Sequence, residues 1–198
     1  ITIDVSHLYF STPKRRFIIA DAPGHVEYTR NMVTGASNVD VAIILLDARK
    51  GVMEQTKRHL YITQLLGINQ LVITINKMDL IDYDEIQFNA IQQEIEKLIS
   101  DYDWTPNRHF IPVSALKGDN VIAKSHKMPW YKGWSANLSK TEVISGVTLY
   151  DALEKLARPP VRYPDKPLRI PINGIYKIKG VGDVITGRIE QGTLKSGD

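Results

Sequence analysis

The sequence has 198 residues, which is enough for one complete domain and part of a second, because domains commonly contain about 100–200 residues. Hydrophobic residues make up 43% and charged residues 24% of the chain, a composition that is typical of folded globular proteins and argues against intrinsic disorder. The net charge of +3 is too small for a dedicated nucleic-acid binder, although it is compatible with an RNA-bearing partner, and the absence of cysteine excludes disulfides and thiolate chemistry.

Two short segments rich in β-branched residues, 3–10 and 16–20, flank a turn-like stretch at 11–14 and predict a β-hairpin. The chain begins directly in this alternation without an initiator Met, so we expect the natural start to lie upstream.

Strand-like and helix-like patterns then alternate along the chain. A polar helical stretch reaches about residue 35. Strands are predicted at 41–46, 71–75 and 110–113. Helices are predicted at 55–66, 83–99 and 147–157, the last with Thr148 as its N-cap. Strands that alternate with helices predict an α/β fold, a mostly parallel sheet with helices on both faces. The longest apolar run, 41–46, is far shorter than the roughly 18 residues that cross a bilayer, so we expect no membrane span and no membrane partner. The absence of cysteine is compatible with a reducing compartment, and we expect a cytoplasmic location.

The segment 124–146 lacks periodicity and is predicted to be a surface loop, in which Trp130 and Trp134 either anchor the loop or stack on RNA bases. Residues 158–167 contain four prolines and predict an extended linker. Short strands at 168–172, 174–178 and 183–190 then predict the start of a β-barrel. We therefore expect domains at 1–157 and 168–198.

The first candidate site is Asp-Ala-Pro-Gly-His at residues 21–25, directly after a predicted strand. An Asp at a strand end can hold Mg²⁺, and a glycine allows the backbone to approach a phosphate closely. Asp21 is therefore a candidate metal ligand and Gly24 a candidate phosphate contact. His25 is a candidate for orienting a water molecule that attacks a phosphoryl group.

The second candidate site is Asn-Lys-Met-Asp at residues 76–79, again after an apolar strand. The Asp79 carboxylate can accept hydrogen bonds from N1 and the 2-amino group of guanine, a pair of donors that adenine lacks. Asn76 can bridge neighbouring loops, and the stem of Lys77 can lie over the flat base. These residues predict a site that selects guanine.

The third candidate site is Ser-Ala-Leu at residues 114–116, after the strand predicted at 110–113. A backbone amide of this segment can meet the guanine carbonyl oxygen, while the Ser114 hydroxyl braces the loop. Ala115 and Leu116 complete the segment. Because all three sites follow strands in order, we expect the ends of one sheet to bring them into one crevice.

These three motifs resemble those of the translational GTPases, and the resemblance covers almost the whole chain. It implies a P-loop GTPase domain that uses GTP, GDP and Mg²⁺, hydrolyses GTP to GDP and phosphate, and is followed by a barrel domain. In this family the opening Ile-Thr-Ile matches the end of the first switch segment, which would make Thr2 a second Mg²⁺ ligand. The resemblance also implies a phosphate-binding glycine loop, which we expect upstream of residue 1. We therefore expect this segment alone to bind GTP poorly and to be inactive.

Two branches of the family are similar to different parts of the chain. Segments such as 51–57, 66–71, 129–134 and 187–192 resemble the elongation factor 1-alpha branch, which implies aminoacyl-tRNA, the ribosome and a nucleotide exchange factor as partners. Segments in the first half, such as 9–12, 28–32 and 47–51, look more like the GTPase subunit of sulfate adenylyltransferase, which would pair with a sulfurylase catalytic subunit. A binding module that has lost hydrolysis is a third hypothesis, against which His25 and Thr2 argue.

Overall fold

The computed structural model describes residues 3–37, 39–137, 141–157 and 163–197. Contacts between residues divide the chain into two compact units, 1–158 and 159–198. The candidate residues of the sequence lie in the first unit, and Thr2 falls outside the described residues.

The first unit opens with a β-hairpin. Strands β1 (Ser6–Ser11) and β2 (Arg16–Asp21) pair in antiparallel fashion, with Ser6 opposite Asp21. The turn is closed by Thr12, whose hydroxyl oxygen accepts hydrogen bonds from the amides of Lys14 and Arg15 at 3.3 and 3.1 Å. The predicted hairpin is therefore present, although its first strand begins three residues later than expected.

A parallel sheet forms the centre of the unit. Strands β3 (Ala42–Asp47), β4 (Gln70–Asn76) and β5 (Asn107–Pro112) lie in that order and run parallel, as the alternation of strands and helices predicts. In β4 every residue from Leu71 to Ile75 is buried. Because successive side chains of a strand point to opposite faces, this run shows that both faces of β4 are covered.

The described part of the chain contains four α-helices, and a core of apolar side chains joins the last three of them to the parallel sheet. The helices are α1 (Thr29–Ala36), α2 (Glu54–Leu65), α3 (Glu85–Asp101) and α4 (Leu149–Leu156), and short 3-10 turns occupy Val26–Tyr28 and Met78–Ile81. None of the helices in the described part of the chain has both the length and the apolar character that crossing a bilayer requires.

Capping decides where two of these helices begin. The sequence predicts that α3 starts at Tyr83, but Tyr83 has a left-handed backbone with φ of 57°. The carboxylate of Asp84 accepts hydrogen bonds from the amides of Ile86 and Gln87 at 2.7 and 3.4 Å and caps the helix there instead. At α4 the predicted cap is confirmed, because the Thr148 hydroxyl oxygen accepts from the Asp151 amide at 3.0 Å.

The prediction of a surface loop at 124–146 is wrong. This segment contains an antiparallel pair, β6 (Trp134–Asn137) and β7 (Val143–Gly146), and it buries Met128 and Tyr131. Trp134 is itself buried, and the indole of Trp130 donates a 3.0 Å hydrogen bond to the Tyr83 carbonyl. The anchoring role that the sequence offered for Trp130 and Trp134 is therefore confirmed, whereas the strands and the burial of Met128 and Tyr131 follow no regular period and were missed.

The second unit contains an antiparallel pair, β8 (Ile172–Ile178) and β9 (Gly182–Gly187), with a β-bulge between Ile172 and Gly174. The strand predicted at 168–172 is not formed as such, because Arg169 makes only an isolated bridge to Gln191. The first unit is thus an α/β domain, and the second unit contains a pair of antiparallel strands.

Candidate functional site

The loops that follow β4 and β5 are in direct contact. Asn76 ends β4, and its side-chain oxygen accepts hydrogen bonds from the Lys77 amide at 2.7 Å and from the Ala115 amide at 3.0 Å. The contact arises because adjacent parallel strands end at the same edge of a sheet. The structure therefore brings the second and third predicted motifs together, and Asn76 forms the bridge between their loops.

Asp79 and Ser114 form a second link between the same loops. The buried Ser114 hydroxyl donates a 2.6 Å hydrogen bond to Oδ1 of Asp79, and the Lys117 amide donates to the Ser114 oxygen at 3.2 Å. Asp79 is half-buried in its 3-10 turn. Since a carboxylate accepts through two oxygens, Asp79 keeps the capacity to accept from a ligand while Ser114 orients it.

The backbone of the 76–79 loop is fixed from beneath. Met78 is fully buried, and its amide donates to the Val113 carbonyl at 3.2 Å. Lys77 has a left-handed backbone with φ of 66°, a conformation that a non-glycine residue adopts only where the surroundings impose it. The buried Met78 side chain thus holds Lys77 and Asp79 at the surface of the sheet edge.

The side chain of Lys77 lies against Asp47, the last residue of β3. Its Nζ donates to Oδ2 of Asp47 at 2.8 Å, and Arg49 donates to the same carboxylate through Nη2 at 2.8 Å and Nε at 3.1 Å. The Arg49 hydrogen bond, followed by that from Lys77, holds the pKa of Asp47 well below its usual range despite partial burial. Sequence reasoning gave Asp47 no role, although an Asp directly after an apolar strand is the same pattern that pointed to Asp21.

In the third loop, the Ala115 amide is directed to Asn76, whereas Leu116 is 83% exposed. The Ser114 amide and carbonyl pair with Asp119 at 3.1 Å in both directions, which closes a tight turn. This turn presents Ala115 and Leu116 at the outer edge of the site.

A cluster of polar side chains supports this turn from behind. Asp119 accepts from the Tyr83 and Ser125 hydroxyls, both at 2.7 Å, and from Lys127 Nζ at 3.2 Å. Burial opposes ionisation of Asp119, but the hydrogen bonds from Ser125, Tyr83 and Lys127 outweigh it and lower the pKa of Asp119. The loop after β5 is thereby joined to Tyr83, which lies between the 3-10 turn at Met78–Ile81 and helix α3.

The Asp-Ala-Pro-Gly-His segment occupies a different part of the sheet architecture. Asp21 ends β2, whose strand partner among the described residues is β1, and not a strand of the parallel sheet. Among the described residues the first motif thus follows a strand of a separate two-stranded sheet, and the expectation that one crevice receives all three motifs stays a prediction.

Helix α2 positions this first motif. A Cβ atom added to Gly24 would collide with the amide of Gln55 and come within 3.5 Å of the His59 ring. Burial lowers the pKa of His59, and a hydrogen bond with the Gly24 backbone partly offsets this effect. His25 is exposed, with Nδ1 4.0 Å from a carboxylate oxygen of Glu27. The segment thus packs Gly24 tightly against α2 and leaves His25 in solvent.

Comparison with known proteins shows the family of the chain that has this site. Residues 1–159 match the family model described as "Elongation factor Tu GTP binding domain". The chain belongs to this GTP-binding domain family. The match includes the loops at 21–25, 76–79 and 114–116.

Curated relatives extend the similarity of this family member to its full length. The chain is 46% identical over 198 residues to elongation factor 1-alpha of Thermococcus celer, a match that covers 100% of this chain and 43% of the relative. It is also 46% identical over 201 residues to elongation factor 1-alpha of Methanothermobacter thermautotrophicus, with 45% of that protein covered. The third, elongation factor 1-alpha of Methanopyrus kandleri, is 45% identical over 199 residues, with 44% covered. The chain spans less than half the length of these relatives.

Proposed function

We propose that this chain is the GTP-binding part of a translation elongation factor that hydrolyses GTP and, in its GTP state, delivers aminoacyl-tRNA to the ribosome. Residues 1–157 form the nucleotide domain, 158–167 the linker and 168–198 the beginning of the barrel. One observation carries the proposal. In a chain of the elongation factor Tu GTP-binding family, Asp79 and Asn76 are each hydrogen-bonded to the loop at 114–116.

Guanine selection follows from this arrangement. Asp79, oriented by Ser114, accepts from N1 and the 2-amino group of the base, while adenine offers no matching pair of donors. The stem of Lys77 covers one face of the base. Asn76 fixes the loop of Ala115 and Leu116, which lies toward the carbonyl side of the ring.

Hydrolysis requires in-line attack of water on the γ-phosphorus, a reaction governed by positioning and charge neutralisation. His25 is exposed and orients the attacking water, and the Gly24 backbone approaches the γ-phosphate. Loss of the γ-phosphate releases both segments, so the nucleotide controls the conformation.

The family implies Mg²⁺, and the available donors fit it. Asp21 presents an exposed carboxylate at the end of β2, and Mg²⁺ prefers oxygen ligands supplied by one or two side chains and by phosphates. Within the described residues no group of three or more His, Cys, Asp or Glu side chains could hold a metal ion by itself. Asp21 and Thr2 would hold the ion, which neutralises phosphate charge when bound.

The experiment that tests the nucleotide site replaces Asp79 by Asn in the natural polypeptide that contains this segment. An amide donates where the carboxylate accepts, so affinity for GTP should fall by roughly 10- to 100-fold and affinity for xanthosine triphosphate should rise. Asp82→Asn is the matched control, because Asp82 is exposed in the same loop and three residues away. An Asp79→Asn protein that still prefers GTP would refute the guanine site.

The assignment to translation has its own test. The GTP-bound protein should retain aminoacyl-tRNA and respond to ribosomes and to an exchange factor, in a cytoplasmic setting without membrane or DNA. The relatives described above are elongation factors, and none of these findings supports the alternative of a sulfate adenylyltransferase GTPase. Capture of a sulfurylase catalytic subunit in place of tRNA would overturn the assignment to translation and leave the nucleotide site intact.

A further inference from the structure

Asp47 occupies a position that the nucleotide proposal leaves without a role. It ends β3, and its partner across the parallel ladder is Asn76, the residue that opens the 76–79 loop. The Asp47 side chain is only 14% exposed, which is unusual for a carboxylate unless it is paired. The end of β3 therefore places a nearly buried negative charge beside the guanine loop.

This carboxylate binds two cations from different loops. Lys77 Nζ and Arg49 Nη2 both donate to Oδ2 at 2.8 Å. Oδ1 accepts from the Arg49 amide at 3.0 Å and from Arg49 Nε at 3.1 Å. Because these hydrogen bonds hold the pKa of Asp47 well below its usual range, the carboxylate is ionised at neutral pH.

The contact with Lys77 restricts a side chain that is otherwise highly mobile. A lysine has a flexible four-carbon stem and loses substantial rotamer entropy when it is ordered. At one end, the left-handed backbone of Lys77 sets the direction in which the stem leaves the chain. At the other end, Asp47 holds Nζ. Both ends of the stem are thus fixed before a ligand arrives, which reduces the cost of binding.

We propose that Asp47 is a positioning residue of the nucleotide site, which acts by holding Lys77 so that its stem forms an ordered cover for one face of the purine base. This inference rests on the proposed guanine-nucleotide function. Because a stem over the face of the ring does not sense the groups at its edge, Asp47 should strengthen the binding of guanine and xanthine nucleotides equally. Discrimination between the two bases remains with Asp79.

A double-mutant cycle tests the proposal in the natural polypeptide. The dissociation constant of fluorescent N-methylanthraniloyl-GDP is measured for the wild type, Asp47→Asn, Lys77→Met and the double variant. Asp47→Asn should weaken binding of the fluorescent GDP by roughly 3- to 10-fold. This is the loss expected when the ligand itself has to order one flexible side chain, that of Lys77. The double variant should bind no more weakly than Lys77→Met alone. If the two single effects multiply in the double variant, Asp47 does not act through Lys77 and the proposal fails.

Two further variants separate positioning from folding. Arg49→Gln removes the other partner of Asp47 and leaves Lys77 in place. The affinity of this variant for the fluorescent GDP should therefore stay within about twofold of the wild-type value. Asp47→Glu keeps the charge and should recover part of the affinity that Asp47→Asn loses. An Arg49→Gln protein as weak as Asp47→Asn, or an Asp47→Glu protein no better than Asp47→Asn, would overturn the proposal.

The same proteins distinguish failure of this inference from failure of the proposed function. If the wild type does not bind the fluorescent GDP, the guanine site itself is wrong. If it binds, and Asp79→Asn changes the base preference, the site is right. An uncoupled cycle for Asp47 and Lys77 would then refute only the positioning role. The ratio of guanine to xanthine affinity should be the same in Asp47→Asn as in the wild type.

Discussion

The hydroxyl of Ser114 donates a 2.6 Å hydrogen bond to Oδ1 of Asp79, 35 residues earlier in the chain. Ser114 is fully buried, whereas Asp79 is half-buried, so the bond joins the interior of the domain to a residue at its surface. An alcohol that donates to a carboxylate makes a stronger hydrogen bond than a neutral pair does. This contact sets the direction of the carboxylate on which the proposed selection of guanine depends.

Replacing Ser114 by Ala should therefore weaken guanine binding. We expect about a tenfold loss of affinity for GDP, since a hydrogen bond to a charged group contributes about 1.5 kcal/mol or more and the Lys117 amide also loses its acceptor. Stopped-flow release of fluorescent GDP measures the change. Ser100→Ala, at an exposed position of α3, is the control and should release GDP at the wild-type rate. Unchanged release from Ser114→Ala would show that Asp79 is oriented without this bond.

Replacing Gly24 by Ala should separate stability from phosphate sensing. The added methyl group meets the end of the flexible Gln55 side chain, which can swing away, so the free energy of unfolding should change by less than about 1 kcal/mol. The methyl group also blocks close approach of a γ-phosphate. Affinity for a non-hydrolysable GTP analogue should fall about tenfold, and affinity for GDP should not change. Calorimetric titration with both nucleotides measures this difference.

A control is needed because the methyl group of Gly24→Ala also displaces the side chain of Gln55. Gln55→Ala alone should bind both nucleotides like the wild type. If adding Gln55→Ala to Gly24→Ala restored binding of the GTP analogue, the loss would come from the displaced Gln55 and not from the phosphate.

Stability should depend on pH through His109. This histidine lies in β5 with 6% of its surface exposed, and burial lowers its pKa from the ordinary value of 6.5. Below pH 6.5 the unfolded chain binds a proton at this histidine that the folded chain does not. The free energy of unfolding is therefore highest above this pH and decreases as the pH falls. His59, whose pKa burial also lowers, contributes in the same direction. Urea unfolding at pH 5.5, 6.5 and 7.5 should show this decline.

His109→Phe should make the decline shallower, because a phenyl ring cannot take up a proton. The maximum contribution of one such group is about 1.4 kcal/mol per pH unit. A slope identical to that of the wild type would show that His109 is protonated to the same extent in the folded and unfolded chains.

Asn120 should be important for the stability of the first unit. It is buried and has a left-handed backbone with φ of 55°. Its amide nitrogen donates to the Pro112 carbonyl at 3.0 Å, and its oxygen accepts from the Ser125 amide at 2.8 Å. Asn120→Gly should lower the free energy of unfolding by about 2–3 kcal/mol, because the Pro112 carbonyl and the Ser125 amide then have no hydrogen-bond partner at this position.

Asn120→Ala should be less stable still, by about 1 kcal/mol, because alanine adds the strain of a left-handed backbone that glycine avoids. Urea unfolding of both variants measures the two contributions separately. Equal stability of the two proteins would mean that the backbone relaxes at this position.

The sequence predicted that the candidate residues follow the ends of strands, because each candidate motif comes after a short apolar run. The runs at 71–75 and 110–113 are long and apolar enough to be identified as strands, and polar residues directly after them fall at the edge of the sheet. The meeting of Asn76 with Ala115 then follows from parallel pairing. The burial of Met128 and Tyr131 was not predictable in this way, because burial in an irregular segment leaves no period in the sequence.

The sequence by itself determined the alternation of strands and helices, the order of the three motifs and the choice of an acid at position 79, because these depend on local periodicity and on the chemistry of single side chains. Only the tertiary structure decided that Ser114 orients Asp79 and that Asp47 holds Lys77. Strand pairing and hydrogen bonds between residues about 30 positions apart depend on how the chain packs in space. A one-dimensional pattern does not contain that information.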